Sequence, residues 1–207
     1  MFPKAGETGP NGDVNLVTRL LDVVENEIVP ITRQGVSEGN KLFGAAVLDR
    51  SSLRPVVVGT NRETQNPLLH GEISALNDYW ALPAGDRTSP AACVFLSTHE
   101  PCSLCLSAIT WSGFDSFYYL FSYEDSRDAF AIPHDLRILE EVFGVADGAY
   151  RRTNAFWSAH DIADLVESLP AEAATAARHR LDRLRAVYDE LSASYQATKD
   201  NTEIPLN

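Results

Sequence analysis

Two short segments, His70-Gly71-Glu72 and Pro101-Cys102-Ser103-Leu104-Cys105, carry the information that decides the fold of this 207-residue chain. Each follows an extended or loop segment and opens a stretch with helical spacing, so we predict that each marks the start of a helix. Cys102 and Cys105 are three residues apart, which places both side chains on one side of the same helical turn. The positive end of that helix favours their thiolate forms.

Together these segments supply a set of side chains suited to zinc. Zinc takes nitrogen and sulfur ligands in tetrahedral geometry, and a catalytic site keeps three protein ligands and one open position. His70, Cys102 and Cys105 form such a trio, and zinc makes water acidic enough to supply hydroxide near neutral pH. Glu72, two residues after a ligand, can move protons without binding the metal. The pattern predicts Zn2+ as the cofactor and Glu72 as the catalytic residue.

Two other interpretations of these residues stay open from the sequence. His70, Glu72 and the two cysteines could each be ordinary helix-end or core residues, since short motifs carry a false-positive risk. A closed structural zinc site would need a fourth ligand, for which His99 is the nearby candidate. The presence of both segments in one chain favours the catalytic site.

The rest of the chain alternates helical and extended patterns. Helices are predicted from Asp13 to about Pro30, from His70 to before Pro83, and over residues 101–112, 134–143, 162–169 and 171–193. Strands are predicted over residues 43–48, 55–59, 92–97 and 114–121, with a loop over 122–133. This order predicts an α/β fold, a three-layer α/β/α sandwich with a helical C-terminal extension.

Composition limits the classes of partner and location. The chain carries 17 basic and 29 acidic residues, a net charge of −12, which disfavours nucleic acid because phosphate binding depends on Lys and Arg. It has no apolar run long enough to span a membrane and no apolar signal-peptide core, so we expect a cytoplasmic protein with no membrane partner. Three cysteines, an odd number, argue against a disulfide framework.

The combination of His-x-Glu with Pro-Cys-x-x-Cys resembles the signature of the zinc nucleobase deaminases. Over residues 44–130 the chain resembles the cytidine deaminase-like superfamily, in the branch with fungal cytosine deaminase, guanine deaminase and tRNA adenosine deaminases. The residues that carry the resemblance are Phe43-Gly44-Ala45-Ala46-Val47, Asn61, His70-Gly71-Glu72-Ile73-Ser74, Glu100-Pro101-Cys102-Ser103-Leu104-Cys105 and Ala108-Ile109. His-Gly-Glu-Ile-Ser is similar to the cytosine deaminase form, whereas Glu-Pro-Cys is more like the guanine and tRNA group.

The resemblance implies a fold, a metal site and contacts with a substrate. It implies a sheet of about five strands with zinc at the N-termini of two facing helices, where His70, Cys102 and Cys105 are the ligands and Glu72 shuttles protons. It further implies that Asn61 binds the substrate ring and that backbone near Gly71 and Glu100 meets it. Homodimers are common in these families. The corresponding domain division is a disordered tail over 1–12, a zinc deaminase domain over 13–150, a helical extension over 151–198 packed on the same domain, and a tail over 199–207.

Five more residues are candidates for substrate contact, each with an ordinary alternative. His99 is a neighbour of the metal site or a solvated loop residue, and Trp111 lines a pocket or belongs to the core. Asp125 lies in an acidic segment after a strand. It either accepts a hydrogen bond from an amino or ring N–H group of the substrate or is an ordinary solvated residue. Phe156 and Trp157 form a lid over a flat ring or anchor the C-terminal helices, the latter being favoured.

These observations predict a hydrolytic deaminase that converts an amino-substituted nucleobase or related heterocycle, cytosine-like or guanine-like, to the oxo product with release of ammonia. A nucleoside, nucleotide or tRNA adenosine substrate is the first alternative, with Arg62 or Arg127 as candidate phosphate ligands. A non-catalytic, zinc-stabilised interaction protein is the second. The −12 charge favours the small-molecule substrate.

Overall fold

The computed structural model describes residues 10–207, with side chains from residue 13 onwards. Residues 1–9 of the tail predicted over 1–12 lie outside the described residues. Five strands form a single sheet in the order β2-β1-β3-β4-β5. They are β1 (Gly44–Asp49), β2 (Pro55–Thr60), β3 (Cys93–His99), β4 (Ser116–Phe121) and β5 (Ser158–Asp161).

The described helices flank this sheet and include several short turns. They are α1 (Pro10–Val23), α2 (Val29–Ser37), α3 (Gly71–Ala81), α4 (Ser103–Ser112), α5 (Tyr123–Asp128), α6 (His134–Phe143), α7 (Ile162–Glu167) and α8 (Ala171–Thr198). A π-helical turn, Val24–Ile28, joins α1 to α2, and 3₁₀ turns occupy Pro90–Ala92, Ala146–Gly148 and Lys199–Asn201.

The sheet is mixed. β1 pairs antiparallel with both β2 and β3, whereas β3, β4 and β5 run parallel. Parallel neighbours need a crossover, and α4 supplies it between β3 and β4. As a result, the start of α4 lies beside the carboxyl end of β3, which is where the cysteine segment follows His99.

Alternating strand residues divide the core into two layers, because successive side chains of a strand point to opposite faces. Ala46 and Leu48 belong to a cluster with apolar residues of α1, α2, α7 and α8. Ala45 and Val47 belong to a second cluster with residues of α3 and α4. The three-layer α/β/α sandwich with a helical C-terminal extension is therefore confirmed.

The expectation that Pro30 ends the first helix is wrong. Helical structure continues from α1 through the π-helical turn into α2, where Pro30 occupies the first turn. Proline has no N–H and its ring collides with the preceding turn of a regular α-helix. The π-helical turn Val24–Ile28 ends two residues before Pro30, so the regular α-helical hydrogen bonding is already interrupted where the proline lies.

Two elements differ from the sequence prediction. The loop predicted over residues 122–133 contains α5, and no strand is predicted over the residues that form β5. Ser122 caps α5 in a reciprocal capping box with Asp125, a local pattern that would have indicated the helix. β5 is four residues long, and its polar composition, Ser-Ala-His-Asp, lacks the apolar residues by which a strand is predicted from sequence. Helix α8 extends five residues beyond the predicted end at Ala193.

The C-terminal third packs on the same core as the rest of the chain. Tyr188 of α8 lies 5.0 Å from Phe121 of β4 between ring centroids, and Arg180 forms ion pairs with Asp22 and Glu25 near the end of α1. The domain boundaries at 13, 150 and 198 stay predictions. Within residues 10–207, no helix combines the length and apolar character needed to cross a membrane.

Candidate metal centre

The metal-ligand candidates lie at the starts of two helices. His70 is the N-cap residue of α3 and Cys102 is the N-cap residue of α4, both with extended backbone, while Cys105 lies in the first turn of α4. These two helices share one face of the sheet. Two helix N-termini therefore converge on one point and favour negatively charged ligand atoms there.

Gly71 allows α3 to start this close to the sheet. A Cβ atom at Gly71 would lie 2.7 Å from both Gly44 Cα and Phe43 O. Contacts that short do not occur for real side chains, so a larger residue would push α3 away from β1. Close packing against the backbone of β1 and Phe43 therefore requires a glycine directly after His70.

His70, Cys102 and Cys105 form a compact group whose ligand atoms all lie within 4.8 Å of one another. His70 Nδ1 is 3.5 Å from Cys102 Sγ and 3.7 Å from Cys105 Sγ. Tetrahedral zinc with ordinary Zn–N and Zn–S bonds places such atoms about 3.6 Å apart. The two distances from His70 to the sulfurs therefore fit zinc, and His99 is not part of the group.

The electrostatics of the trio favour a thiolate. Hydrogen bonding from Cys105, opposed by burial and assisted by His70, lowers the pKa of Cys102 well below its usual range. Burial and the adjacent Cys102 raise the pKa of Cys105. Burial works against protonation of His70, but its hydrogen bond to Cys102 and the surrounding negative charges raise its pKa to about 9. Cys102 is thus prepared as an anionic ligand.

Glu72 lies directly beside the trio. It is 3% exposed, Ser97 Oγ donates to its Oε1 at 3.0 Å, and its Oε2 accepts from Cys105 Sγ at 3.3 Å. Burial, and then the charge of Cys102, raises the pKa of Glu72 above its ordinary value. A buried carboxyl with a raised pKa next to a metal site is suited to carrying a proton.

A cavity of about 320 Å³ opens onto the trio, with His70 and Cys102 in its wall. This volume suits a small molecule. Most of the remaining wall is apolar and consists of Phe43, Pro67, Leu68, Leu104, Ile132, Ile138, Ile204, Pro205 and Leu206. The polar lining comes from Lys41, Glu63, Ser103, His134 and Asp135.

Asn61 and Glu100 are not among the residues that line the cavity. The Asn61 side chain accepts a hydrogen bond from Gly71 N at 2.6 Å and donates to Glu63 Oε2 at 2.7 Å. Glu100 accepts from Tyr150 OH at 2.8 Å and from Arg152 Nε at 3.0 Å. Both side chains are therefore occupied by protein partners in this structure.

The other predicted substrate contacts also lie outside the cavity lining. His99 is buried among aromatic rings, 4.0 Å from Phe43 between ring centroids, and burial lowers its pKa well below the usual value. Asp125 caps α5 and pairs with Arg185. Trp157 donates to Thr110 Oγ1 at 2.7 Å and anchors its loop on α4. Trp111 and Phe156 are exposed, at 91% and 64%.

No sequence pattern indicated a role for five of the residues that line the cavity, which are Lys41, Glu63, His134, Asp135 and Ile204. Lys41 and Glu63 are 22 residues apart and meet only through the fold. Asp135 lies in the first turn of α6, where an acidic residue is common without a catalytic role. Ile204 belongs to the segment predicted as a polar tail, yet it is buried at 7% exposure.

Residues 26–121 match the model of the cytidine and deoxycytidylate deaminase zinc-binding region. This region includes the whole His/Cys/Cys trio and Glu72. Over these residues the chain is similar to the cytidine deaminase-like superfamily. It is a zinc-dependent deaminase, with Zn2+ as its cofactor. No protein of curated function matches this deaminase in sequence.

Solved structures share the fold of this deaminase at low sequence identity. The guanine deaminase from Nitrosomonas europaea is 20% identical with a TM-score of 0.50, covering 91% of this chain and 87% of its own. A mutant of the protein NE0047 in complex with 8-azaguanine is 20% identical with a TM-score of 0.53, covering 84% of each chain. At this level of identity the similarity establishes the fold.

Proposed function

We propose that this deaminase removes the exocyclic amino group of a small amino-heterocycle, with cytosine-like and guanine-like rings as the leading candidates. The observation that carries the proposal is the largely apolar cavity that ends on His70 and Cys102. Its volume and lining suit a flat, uncharged ring better than a polymer. The fold neighbour with bound 8-azaguanine supports the choice of a nucleobase-like ligand.

In the overall reaction, water adds to the amino-bearing carbon, the C–N bond breaks, and ammonia leaves as the oxo product forms. His70 Nδ1, Cys102 Sγ and Cys105 Sγ would hold the zinc ion, whose chemistry when bound is to make water acidic enough to attack near neutral pH. Glu72 Oε2, beside Cys105 Sγ, accepts the proton that the water loses. The same carboxyl then delivers a proton to the substrate, and Ser97 holds its other oxygen in place.

Asp135 is proposed to bind the N–H edge of the ring. Its carboxyl lines the cavity, and no hydrogen bond or ion pair of this side chain is recorded among the described residues. Burial, and then the charge of Cys102, raises the pKa of Asp135 well above its usual range, and the residue shares the cavity wall with His70 and Cys102. A carboxyl without a protein partner in an apolar cavity is suited to pairing with ligand N–H groups.

The cavity does not favour a nucleotide or tRNA substrate. Arg62 pairs with Asp78 and Arg127 pairs with Asp128, and neither arginine lines the cavity. A phosphate would therefore meet Lys41 there, whose charge is already paired with Glu63. The free base or a close analogue remains the proposed substrate, with the nucleoside as the alternative.

A homodimer and a cytoplasmic location belong to the same proposal. Leu104 and Trp111 of α4 are 36% and 91% exposed, and an apolar helix face of this kind is suited to burial against a second copy. The three cysteines are free thiols. Cys102 and Cys105 must stay reduced to hold zinc, which a reducing compartment ensures.

The test is ammonia release by zinc-loaded protein on a panel of amino-pyrimidines, amino-purines and amino-triazines, with their nucleosides and monophosphates. We expect turnover of at least one free base, and a loss of about 100-fold or more in Glu72→Gln at unchanged zinc content. The matched control is Glu38→Gln, an exposed carboxylate of another element, which should keep full activity. Full activity of zinc-replete Glu72→Gln would refute the mechanism, and preference for a monophosphate would refute the substrate class.

A further inference from the structure

A buried ion pair lies in the cavity wall beside the metal group. Lys41 Nζ is 2.8 Å from Glu63 Oε1, and the two side chains are only 7% and 2% exposed. The second oxygen of Glu63 accepts from Asn61 Nδ2 at 2.7 Å and from Lys41 N at 3.3 Å. The carboxylate of Glu63 is therefore held by three protein donors.

Stability alone does not account for this pair. Removing two charges from water is costly, and replacing a buried ion pair by apolar residues is often neutral or stabilising. The surrounding wall of the cavity is mostly apolar, so it would accept such a replacement. The position of the pair relative to the metal ligands indicates what it does.

Glu63 faces the outer nitrogen of the histidine ligand. Its Oε1 lies 3.8 Å from His70 Nε2, while His70 Nδ1 faces the two cysteine sulfurs. At this distance the contact is electrostatic rather than a hydrogen bond. It favours the ring orientation that turns Nε2–H toward the carboxylate and leaves the Nδ1 lone pair for the metal.

Asn61 connects this contact to the helix that carries Glu72. Its amide nitrogen donates to Glu63, and its carbonyl oxygen accepts from Gly71 N at 2.6 Å. Gly71 is the first residue of α3. A displacement of Glu63 therefore reaches both His70 and the start of α3.

We propose that the Lys41–Glu63 pair is a positioning device for the zinc ligand His70. Glu63 orients the imidazole and selects Nδ1 as the metal-binding nitrogen, and Lys41 holds the Glu63 carboxylate in place. This inference rests on the zinc site of the proposed function, but it is independent of which ring is deaminated.

The decisive variant is the double substitution Lys41→Met with Glu63→Gln. Glutamine keeps the size of Glu63 and an acceptor for Asn61, and methionine leaves no unpaired buried charge, so the protein should fold. We expect the zinc dissociation constant, measured by chelator competition, to rise about 10- to 100-fold. The matched control replaces Arg62 and Asp78, a half-exposed ion pair between the same loop and α3, by Gln and Asn, and its zinc affinity should equal that of the wild type.

A folded Lys41→Met/Glu63→Gln protein with wild-type zinc affinity would overturn the proposal. If that variant does not fold, ¹⁵N-histidine NMR of the zinc-loaded wild type provides a second test. We expect His70 to show a metal-bound Nδ1 and a protonated Nε2, and coordination through Nε2 would also overturn it. Zinc affinity and NMR need no substrate, so a failed ammonia panel would refute the proposed function without affecting this result.

Discussion

At the scale of single residues, the proposed mechanism relies on two acidic side chains in different surroundings. Glu72 is enclosed by Ser97 and Cys105 and lies against the ligand atoms. Asp135 faces the open cavity from α6. The sequence pattern identifies Glu72, because a carboxylate two residues after a histidine ligand has a recognisable spacing. The acidic residue that the sequence suggested for ring binding, Asp125, is instead occupied as the cap of α5.

Substitution of Asp135 by Asn tests its proposed contact with the ring. We expect kcat/KM on the best free base to fall about 10- to 100-fold, because the amide nitrogen of Asn cannot accept a hydrogen bond from the ring and an unpaired buried polar group costs about 1–3 kcal/mol. Zinc content should not change, since Asp135 is not in the ligand group. The measurement is steady-state kinetics with Asp182→Asn, an exposed residue of α8, as the control. Unchanged kcat/KM in zinc-loaded Asp135→Asn would remove Asp135 from the proposal.

At the scale of elements, the N-cap residues of several helices connect these helices to the metal group and to the sheet. His70 and Cys102 are the N-cap residues of α3 and α4, Ser122 caps α5, and Asp161 caps α7 by accepting from Ala163 N at 2.8 Å. Asp161 also ends β5, so this cap joins the edge of the sheet to the C-terminal helices. Burial, with added repulsion from Asp164 and Glu100, raises the pKa of Asp161 to about 6.

This raised pKa predicts a pH-dependent effect of Asp161→Asn on stability. The pKa in the folded state exceeds the unfolded value of about 3.9, so the protonated form is favoured by folding, and its contribution is present below about pH 4 and lost as pH rises through 6. Asn keeps the cap and cannot ionise. Relative to the wild type, we expect the variant to gain about 1 kcal/mol in the free energy of unfolding above pH 7, after allowance for solvent screening, and nothing near pH 4.

Urea unfolding of the wild type and Asp161→Asn at several pH values measures this difference. Asp189→Asn, an exposed substitution on α8, should show no pH-dependent difference from the wild type. A loss of stability in Asp161→Asn at neutral pH would show that the charge of Asp161 strengthens the cap more than burial weakens it.

At the scale of the whole molecule, the C-terminal third completes one layer of the sandwich. Tyr188 and Leu191 of α8 are buried in the same cluster as Leu20 and Leu21 of α1, so the stripe from Leu181 to Leu191 is a packing face. The opposite layer leaves α4 with an apolar outer face, where Leu104 also borders the cavity. Burying that face would shield the side of the cavity formed by α4.

The proposed homodimer predicts that Trp111→Glu produces a monomer. A charge at a residue that is 91% exposed in the single chain costs little there, but it would be buried without a partner in an interface at α4. Sedimentation velocity should show a wild-type dimer and a folded Trp111→Glu monomer. Phe143→Glu, an exposed aromatic residue of α6, should remain dimeric. A monomeric wild type, or a dimeric Trp111→Glu, would contradict the proposed interface.

Sequence patterns alone predict the metal chemistry and the three-layer fold, and they lead to the proposal that Glu72 is the proton carrier. Ligand type, the spacing of Cys102 and Cys105, and hydrophobic periodicity are local properties that can be read along the chain. The surroundings of the metal group become visible only in the folded chain: the pairing of Lys41 with Glu63, the position of Asp135 and the return of Ile204 to the cavity. These contacts join segments that are far apart in the sequence. They depend on how the helices pack against the sheet, and a local sequence pattern does not contain that information.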